Sequence, residues 1–334
     1  MPYYENVLIV GGGIIGLSCA WRLAQRGQSV TVFDAGAAGG EASWAGAGML
    51  APGGEIDAAS PIAGLALRSL AAFPEFVREL EEETGCPIDY RRSGAMELAA
   101  TDEEVQALGE RATRRAGLGI PSEACRYNGF AARFYPEDAV VDPRQVTHAL
   151  LAACRRRGVE IREHEPVEWI SPDGAALRTA HREYRGAGVL IAAGAWSSGL
   201  LPGLPRTMPV RGHLIAYRLD PGVLDPILRH NYTYMLQRRS GVLVAGSSTE
   251  HVGFDRAIDE AIVADIHRRA GTLLPLLGSV NPSGSWNGFR PGIDADRPAI
   301  GRVAGTSVWT AFGHYRNGIL LAPETARVIA DSVG

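Results

Sequence analysis

The chain of 334 residues contains no lysine: all 33 of its basic residues are arginine. That absence excludes chemistry through a lysine Schiff base. It also excludes a P-loop nucleotide site, whose lysine reaches the phosphates, and a protein kinase. Cysteine is scarce. Cys19, Cys86, Cys125 and Cys154 form no CxxC pair, so neither a zinc site nor thioredoxin-type redox chemistry is expected. His213, His230 and His251 lack metal-ligand spacing and read as structural or surface residues, so no metal is expected. No run of about 18 uncharged apolar residues occurs, which argues against a membrane-spanning helix. The opening MPYYENVLIV lacks the basic start and long apolar run of a signal peptide, so a cytoplasmic location is the expectation. A net charge of −4, with arginine pairs scattered among acids, argues against a nucleic-acid partner.

What the chain has in excess is glycine, with 41 residues. Without a collagen-type period, that points to tight turns and close backbone approaches. Hydrophobic residues at 46% and charged residues at 21% fit a globular protein, and the length suggests two domains.

The apolar run Asn6 to Val10 predicts a buried parallel strand, Ile14 to Gln25 a helix, and Ser29 to Phe33 a second strand closed by Asp34. Together they form a β-α-β unit and imply a doubly wound sheet. Gly36 to Gly54 reads as an extended small-residue loop. Helices are expected over Leu65 to Glu83, Asp102 to Ala116, Pro143 to Arg157, Ala257 to Ala270 and Asn317 to Val333. Strands are expected at Val159 to Arg162, Val189 to Ala193 and Val308 to Phe312. Between Pro209 and Phe289 alternating runs predict antiparallel strands. The nucleotide-type elements lie at both ends and near the middle. The expected fold is therefore α/β, with a discontinuous doubly wound domain (1–75, 138–205 and 295–334) and an inserted antiparallel-sheet α+β substrate domain (76–137 and 206–294).

Gly11, Gly13 and Gly16 form a GxGxxG turn between the first strand and helix, and Asp34 lies 18 residues after Gly16. The glycines permit the turn and a close approach to a pyrophosphate, the helix amino terminus favours phosphate, and the acid suits a ribose hydroxyl. Three further segments favour FAD over NAD: Ser43 to Pro52 can lie against a planar ring, Gly188 to Ser197 ends a strand in a turn at Gly194, and Gly313 to Leu321 opens the last helix.

These blocks, with Ala47 to Leu50 (AGML), Gly194 to Ser197 (GAWS), Gly288 to Gly292 (GFRPG) and Gly313 to Gly318 (GHYRNG), resemble the D-amino-acid oxidase superfamily of FAD-dependent oxidoreductases, and within it the glycine oxidases of thiamine synthesis. The resemblance covers nearly the whole chain. It implies oxidative deamination of glycine or another small amine such as sarcosine or D-alanine. Hydride would pass from Cα to the flavin N5, O2 would reoxidise the flavin to give H2O2, and the imine would hydrolyse to a 2-oxo acid or feed thiazole synthesis. It places Ile14 and Ile15 at the pyrophosphate turn and Asp34 with Ala35 at the adenosine ribose. Ala42, Ser43, Ala47, Gly48 and Met49 would line the flavin, and Val167 would meet the adenine. His314, Tyr315, Arg316, Asn317, Gly318, Ile319 and Leu320 would wrap the isoalloxazine. The resemblance makes Arg290, Tyr234 and Arg316 the catalytic set: Arg290 holds the substrate carboxylate, as its planar fork of donors permits, and Tyr234 touches the substrate through its hydroxyl. Met49 and Thr249 complete the substrate pocket.

There are departures from the pattern. Asp34 stands where a longer glutamate is expected, and Thr249 where the family has a larger apolar residue. Monomeric sarcosine oxidase, similar in fold, uses a lysine beside the flavin and a cysteine bonded to it; this chain has no lysine and no cysteine after Cys154. The FAD is therefore expected to be noncovalent. A homo-oligomer without membrane or nucleic-acid partners is also expected. Two alternatives stay open: a D-amino-acid dehydrogenase passing electrons to a carrier, and a flavin-bound partner subunit without turnover.

Overall fold

A computed structural model describes residues 6–56 and 60–333. The first five residues, part of the opening read for a leader, lie outside them. Asn6–Val10 is an inner strand of a six-stranded sheet, pairing in parallel with Ser29–Phe33 on one side and Gly188–Ile191 on the other. Glu160–Arg162 and Val308–Phe312 extend the parallel arrangement, and Ala299–Arg302 closes one edge antiparallel. Both faces of the first strand are covered, which is why it reads as an unbroken apolar run. Val7 and Ile9 pack with the helices Ile14–Gln25, Ala63–Thr84 and Gly318–Val333 through Leu17, Trp21, Phe76 and Leu321. Leu8 and Val10 face Ile170 and Leu177 instead. These last belong to a three-stranded antiparallel sheet, Val167–Ile170, Ala176–Thr179 and Glu183–Arg185. Sheet thus covers the face where a simple doubly wound fold would place helices.

The second unit is an eight-stranded sheet. Its order is Gly284–Ile293, Thr207–Arg218, Val242–Gly246, Thr233–Gln237, Ile227–His230, Ala95–Ala99, Phe130–Tyr135 and Glu123–Tyr127. Successive side chains of a strand point to opposite faces. Met235, Ile215 and Tyr217 therefore pack with Ile266, Ala270 and Leu273 of the helix Glu260–Leu273, while Tyr234, Leu214 and Leu236 lie on the other face with Ala47.

Every strand of the six-stranded sheet falls within 1–75, 138–205 or 295–334, and every strand of the eight-stranded sheet within 76–137 or 206–294. The 75/76 boundary, however, falls inside the helix Ala63–Thr84, whose Phe73, Phe76 and Leu80 all sit in the first core. Other local differences have physical causes. The helix expected from Ala257 begins at Glu260, because the Asp259 carboxylate accepts from the Ala261 amide at 2.9 Å and caps it. The loop Gly36 to Gly54 holds two one-turn helices, Ala42–Ala45 and Pro52–Glu55, around the short strand Met49–Leu50. Among the described residues no helix is long and apolar enough to cross a membrane.

Candidate active site

A cavity of about 560 Å³ runs from the carboxyl ends of the parallel strands to the inner face of the eight-stranded sheet. Open parallel sheets bind ligands at this end. Gly11, Gly13, Ile14 and Ile15 line one end. A Cβ on Gly11 would lie 2.4 Å from the Ala192 carbonyl oxygen, so the turn admits no other residue. Gly16 does not line the cavity. A Cβ there would lie 1.9 Å from the Gly11 oxygen, so its role is the close packing of helix on strand.

The helix Ile14–Gln25 begins without a side-chain cap and with no acid in its first turn. No capping side chain at Gly13 and no acid thus stand between this amino terminus and an anion, and Ser43 takes one of its amides. The Ile14 amide donates to Ser43 Oγ at 2.9 Å, which holds the following loop, with Ala42, Ser43, Ala47, Gly48 and Met49, along the cavity wall. Asp34, Ala35 and Val167 line the same end. Burial pushes the Asp34 carboxyl above its ordinary range, while the amides of Gly36 and Gly12, each at 2.8 Å, oppose that rise.

Tyr234, Arg290 and Arg316 line the opposite end, and His314, Tyr315, Gly318 and Ile319 line the cavity as well; Gly194 also lines it, next to Ala193, which packs against Gly11. Arg290 sits opposite Val210 in the sheet. Its Nη2 donates to Ser247 Oγ at 2.8 Å and its Nη1 to the Ser248 carbonyl at 3.1 Å. A Cβ at Gly212 would lie 2.1 Å from Arg290 Nη1, so the neighbouring strand leaves room for the guanidinium only by carrying glycine. Burial pulls the Arg290 guanidinium below its usual range, and the nearby Arg316 adds to that. Among the described residues Arg290 makes no ion pair with a carboxylate. Arg316 does: its Nη2 donates to Glu55 Oε1 at 3.2 Å. His314 is buried, its Nε2 lies 3.1 Å from Thr325 Oγ1, and burial lowers its pKa to about 3. It is a neutral imidazole near pH 7.

Besides Gly16, three expected residues lie off the cavity wall. Thr249 is exposed and off the cavity wall, because the segment after Val242–Gly246 turns Ser247 and Ser248, two and one residues earlier, toward Arg290. Leu320 points into the first core, as its place one residue beyond the cavity-lining Ile319 on a helix requires. Asn317 does not line the cavity either. His213, read as structural, is fully buried; its Nε2 accepts from the Asp259 amide at 3.2 Å and its Nδ1 lies 2.8 Å from Glu250.

Sequence reasoning missed Glu55, Ser247 and Arg238. Glu55 lines the cavity inside a segment otherwise made of small and apolar residues, and an acid in that setting was the available signal. Arg238 is buried, and its two terminal nitrogens donate to the carbonyls of Ala47 and Val141. Nothing in its local sequence sets it apart from the adjacent Arg239.

These residues fit FAD: an uncapped helix amino terminus behind a turn that admits only glycine, an acid at the end of the second strand, and a small-residue wall leading to a cavity between the sheets. The chain belongs to the FAD dependent oxidoreductase family (DAO), which matches residues 6–332. The sequence is 33% identical over 343 residues to glycine oxidase of Pseudomonas aeruginosa, covering 98% of this chain and 94% of that protein. It is 35% identical over 350 residues to the bifunctional protein ThiO/ThiG of Synechocystis sp., covering 100% of this chain and 52% of that longer protein. The crystal structure of glycine oxidase from Geobacillus kaustophilus has the same fold, with a TM-score of 0.94 at 31% identity, covering 99% of this chain and 94% of that one.

Proposed function

We propose that this chain catalyses the FAD-dependent oxidative deamination of glycine or another small amino acid, with O2 as acceptor. The observation that carries the reading is Arg290: a recessed guanidinium with no carboxylate partner among the described residues, at the far end of a dinucleotide cavity. When bound, FAD would supply the acceptor for the hydride of the substrate Cα and the route by which its electrons reach O2 to give H2O2. The protein's part is positioning. Arg290 presents Nη1 and Nη2 to a carboxylate, and the Tyr234 ring closes the adjacent wall.

At the substrate end, neither His314 nor Glu55 is suited to take the amine proton near neutrality. His314 is too weak a base. Burial favours the neutral form of Glu55, but facing Arg229 and Arg316 outweigh it and hold the carboxylate ionised. The proton therefore leaves to solvent. The imine product hydrolyses to the 2-oxo acid and ammonia or is passed to thiazole synthesis, and the likeness to a ThiO/ThiG protein supports the second fate.

An anaerobic titration of amino acids against the flavin absorbance tests the reading. Glycine, sarcosine and D-alanine should bleach the flavin and L-amino acids should not. Peroxide released in air distinguishes O2 from another carrier as the acceptor. Failure of all small amino acids to bleach would overturn the assignment.

A further inference from the structure

We infer that Glu55 sets the charge of the substrate: by occupying Arg316 it leaves a single guanidinium free and so excludes amino dicarboxylates. This rests on the reading of the cavity as an amino-acid site. Two arginines, Arg290 and Arg316, face the cavity, but they are not equivalent. Arg290 donates only to neutral oxygens, Ser247 Oγ and the Ser248 carbonyl. Arg316 is held by the Glu55 carboxylate at 3.2 Å. Of the charged side chains that line this end of the cavity, two guanidiniums and one carboxylate leave one positive charge, which the carboxylate of a simple amino acid balances; Arg229 lies off the wall and acts on Glu97 and Asp138 as well as on Glu55. A second substrate carboxylate would find its natural partner taken and would meet Glu55 itself. Like charges brought together in a water-poor cavity repel strongly.

Glu55 does not readily turn aside. It ends the one-turn helix Pro52–Glu55, which is clamped from three directions. The Gly53 amide donates to Asp138 Oδ1 at 2.9 Å. The Gly54 carbonyl accepts from Arg229 Nη2 at 2.6 Å and from Arg115 Nη2 at 3.0 Å. Glu55 also faces Arg229, so neutralising it would leave two guanidiniums, Arg229 and Arg316, without its charge. The change that would admit a second carboxylate is therefore small: Glu55→Gln keeps the length and removes the charge.

The test uses the FAD-loaded protein. Malonate and acetate are titrated against the absorbance of the oxidised flavin, a readout that needs no turnover. In Glu55→Gln the malonate Kd should fall at least about tenfold and by more than the acetate Kd, since the Glu55 charge also reaches Arg290 but only the dianion gains a partner. The kcat/KM for D-aspartate should rise by a similar factor, and Glu55→Asp, which keeps the charge, should retain the exclusion. Unchanged malonate binding in Glu55→Gln would overturn the inference. So would a loss of glycine turnover with no gain for D-aspartate, which would make Glu55 a contact of the substrate amine. Should Glu55→Gln fail to load FAD, the wild-type protein still decides, because it must bind acetate more tightly than malonate; the reverse order would sink the idea. Failure of the wild type to be bleached by glycine would instead count against the amino-acid reading, and the two failures are distinct.

Discussion

Arg238 donates through Nη2 to the carbonyl oxygen of Ala47. Its Nη1 donates to the Val141 carbonyl, and the Val141 amide donates to the Gly48 carbonyl at 2.9 Å. Arg238 directly follows the strand Thr233–Gln237 that carries Tyr234. One buried side chain therefore ties the small-residue wall of the cofactor cavity to the strand of the substrate end. Charged hydrogen bonds of this kind contribute about 1.5–3 kcal/mol each. Arg238→Met should weaken FAD binding by at least about tenfold, read from the fluorescence of released flavin, and Arg238→Lys should recover part of it. An unchanged FAD Kd in Arg238→Met would refute this.

The first β-α-β unit was legible because its signals are local. A strand buried on both faces writes a continuous apolar run, and the turn glycines are forced by contacts such as that of Gly11 with Ala192. The strands Ala95–Ala99, Glu123–Tyr127 and Phe130–Tyr135 were not legible. They lie at one end of the eight-stranded sheet, and the Glu123–Tyr127 edge is partly exposed, so apolar alternation is weak there. The role of Arg238 was hidden for a different reason: its partners are backbone carbonyls at 47 and 141, which have no side-chain signature. Thr249 misled by two residues because a carried-over position says nothing about where a loop turns.

Arg290 offers the most direct test of the substrate end. Arg290→Ala removes the one cavity guanidinium that has no carboxylate partner among the described residues, and with it a charge-assisted grip made in a dry site. The kcat/KM for glycine should fall by about 3 kcal/mol or more, a factor on the order of 100. FAD content should remain normal, since Arg290 lies at the end of the cavity away from Gly11 and Asp34. Wild-type kcat/KM in this variant would remove Arg290 from the site.

The attachment of the cofactor follows from the cysteines. Cys19 and Cys154 are fully buried in the first core, and neither they nor Cys86 and Cys125 line the cavity. His314, which does line it, directs Nε2 to Thr325. The FAD should therefore be held without a covalent bond. Acid precipitation should leave the yellow colour in the supernatant, and colour kept in the pellet would show a bond to the protein.

Asp138 should make stability fall as pH rises. It is buried beneath the helix that carries Glu55, and burial pushes its pKa up to about 7 from 3.8. The folded state thus holds the proton more tightly than the unfolded chain. Its contribution to stability is greatest below about pH 4, declines as the pH climbs toward 7 and is flat above that, a change on the order of 4 kcal/mol that runs against acids such as Glu97 and Glu250, whose lowered values make their contributions fall in acid. Asp138→Asn keeps an acceptor for the Gly53 amide and removes the titration. Thermal unfolding at pH 5 and pH 8 should show a smaller decline in the variant than in the wild type. Equal declines would mean that Asp138 does not carry the effect.

The pH dependence of turnover should belong to the substrate and not to the protein. Hydride leaves Cα readily only when the nitrogen lone pair is free, so the reactive amino acid is the one with a neutral amine. The chain offers no lysine to take that proton. His314 is already neutral well below pH 5, and Glu55 stays ionised under the charges of Arg229 and Arg316, so neither changes state in the alkaline range. The kcat/KM for glycine should therefore rise with pH through the weakly alkaline range and then level. The decisive comparison is with an amino acid whose amine is more acidic. In trifluoroalanine the fluorines withdraw electron density from the nitrogen and lower its pKa, so the D-isomer should bring the same rise at correspondingly lower pH. A rise that stays at one pH for both substrates would assign it to a group on the enzyme, and the proton would then leave through a residue other than those described here.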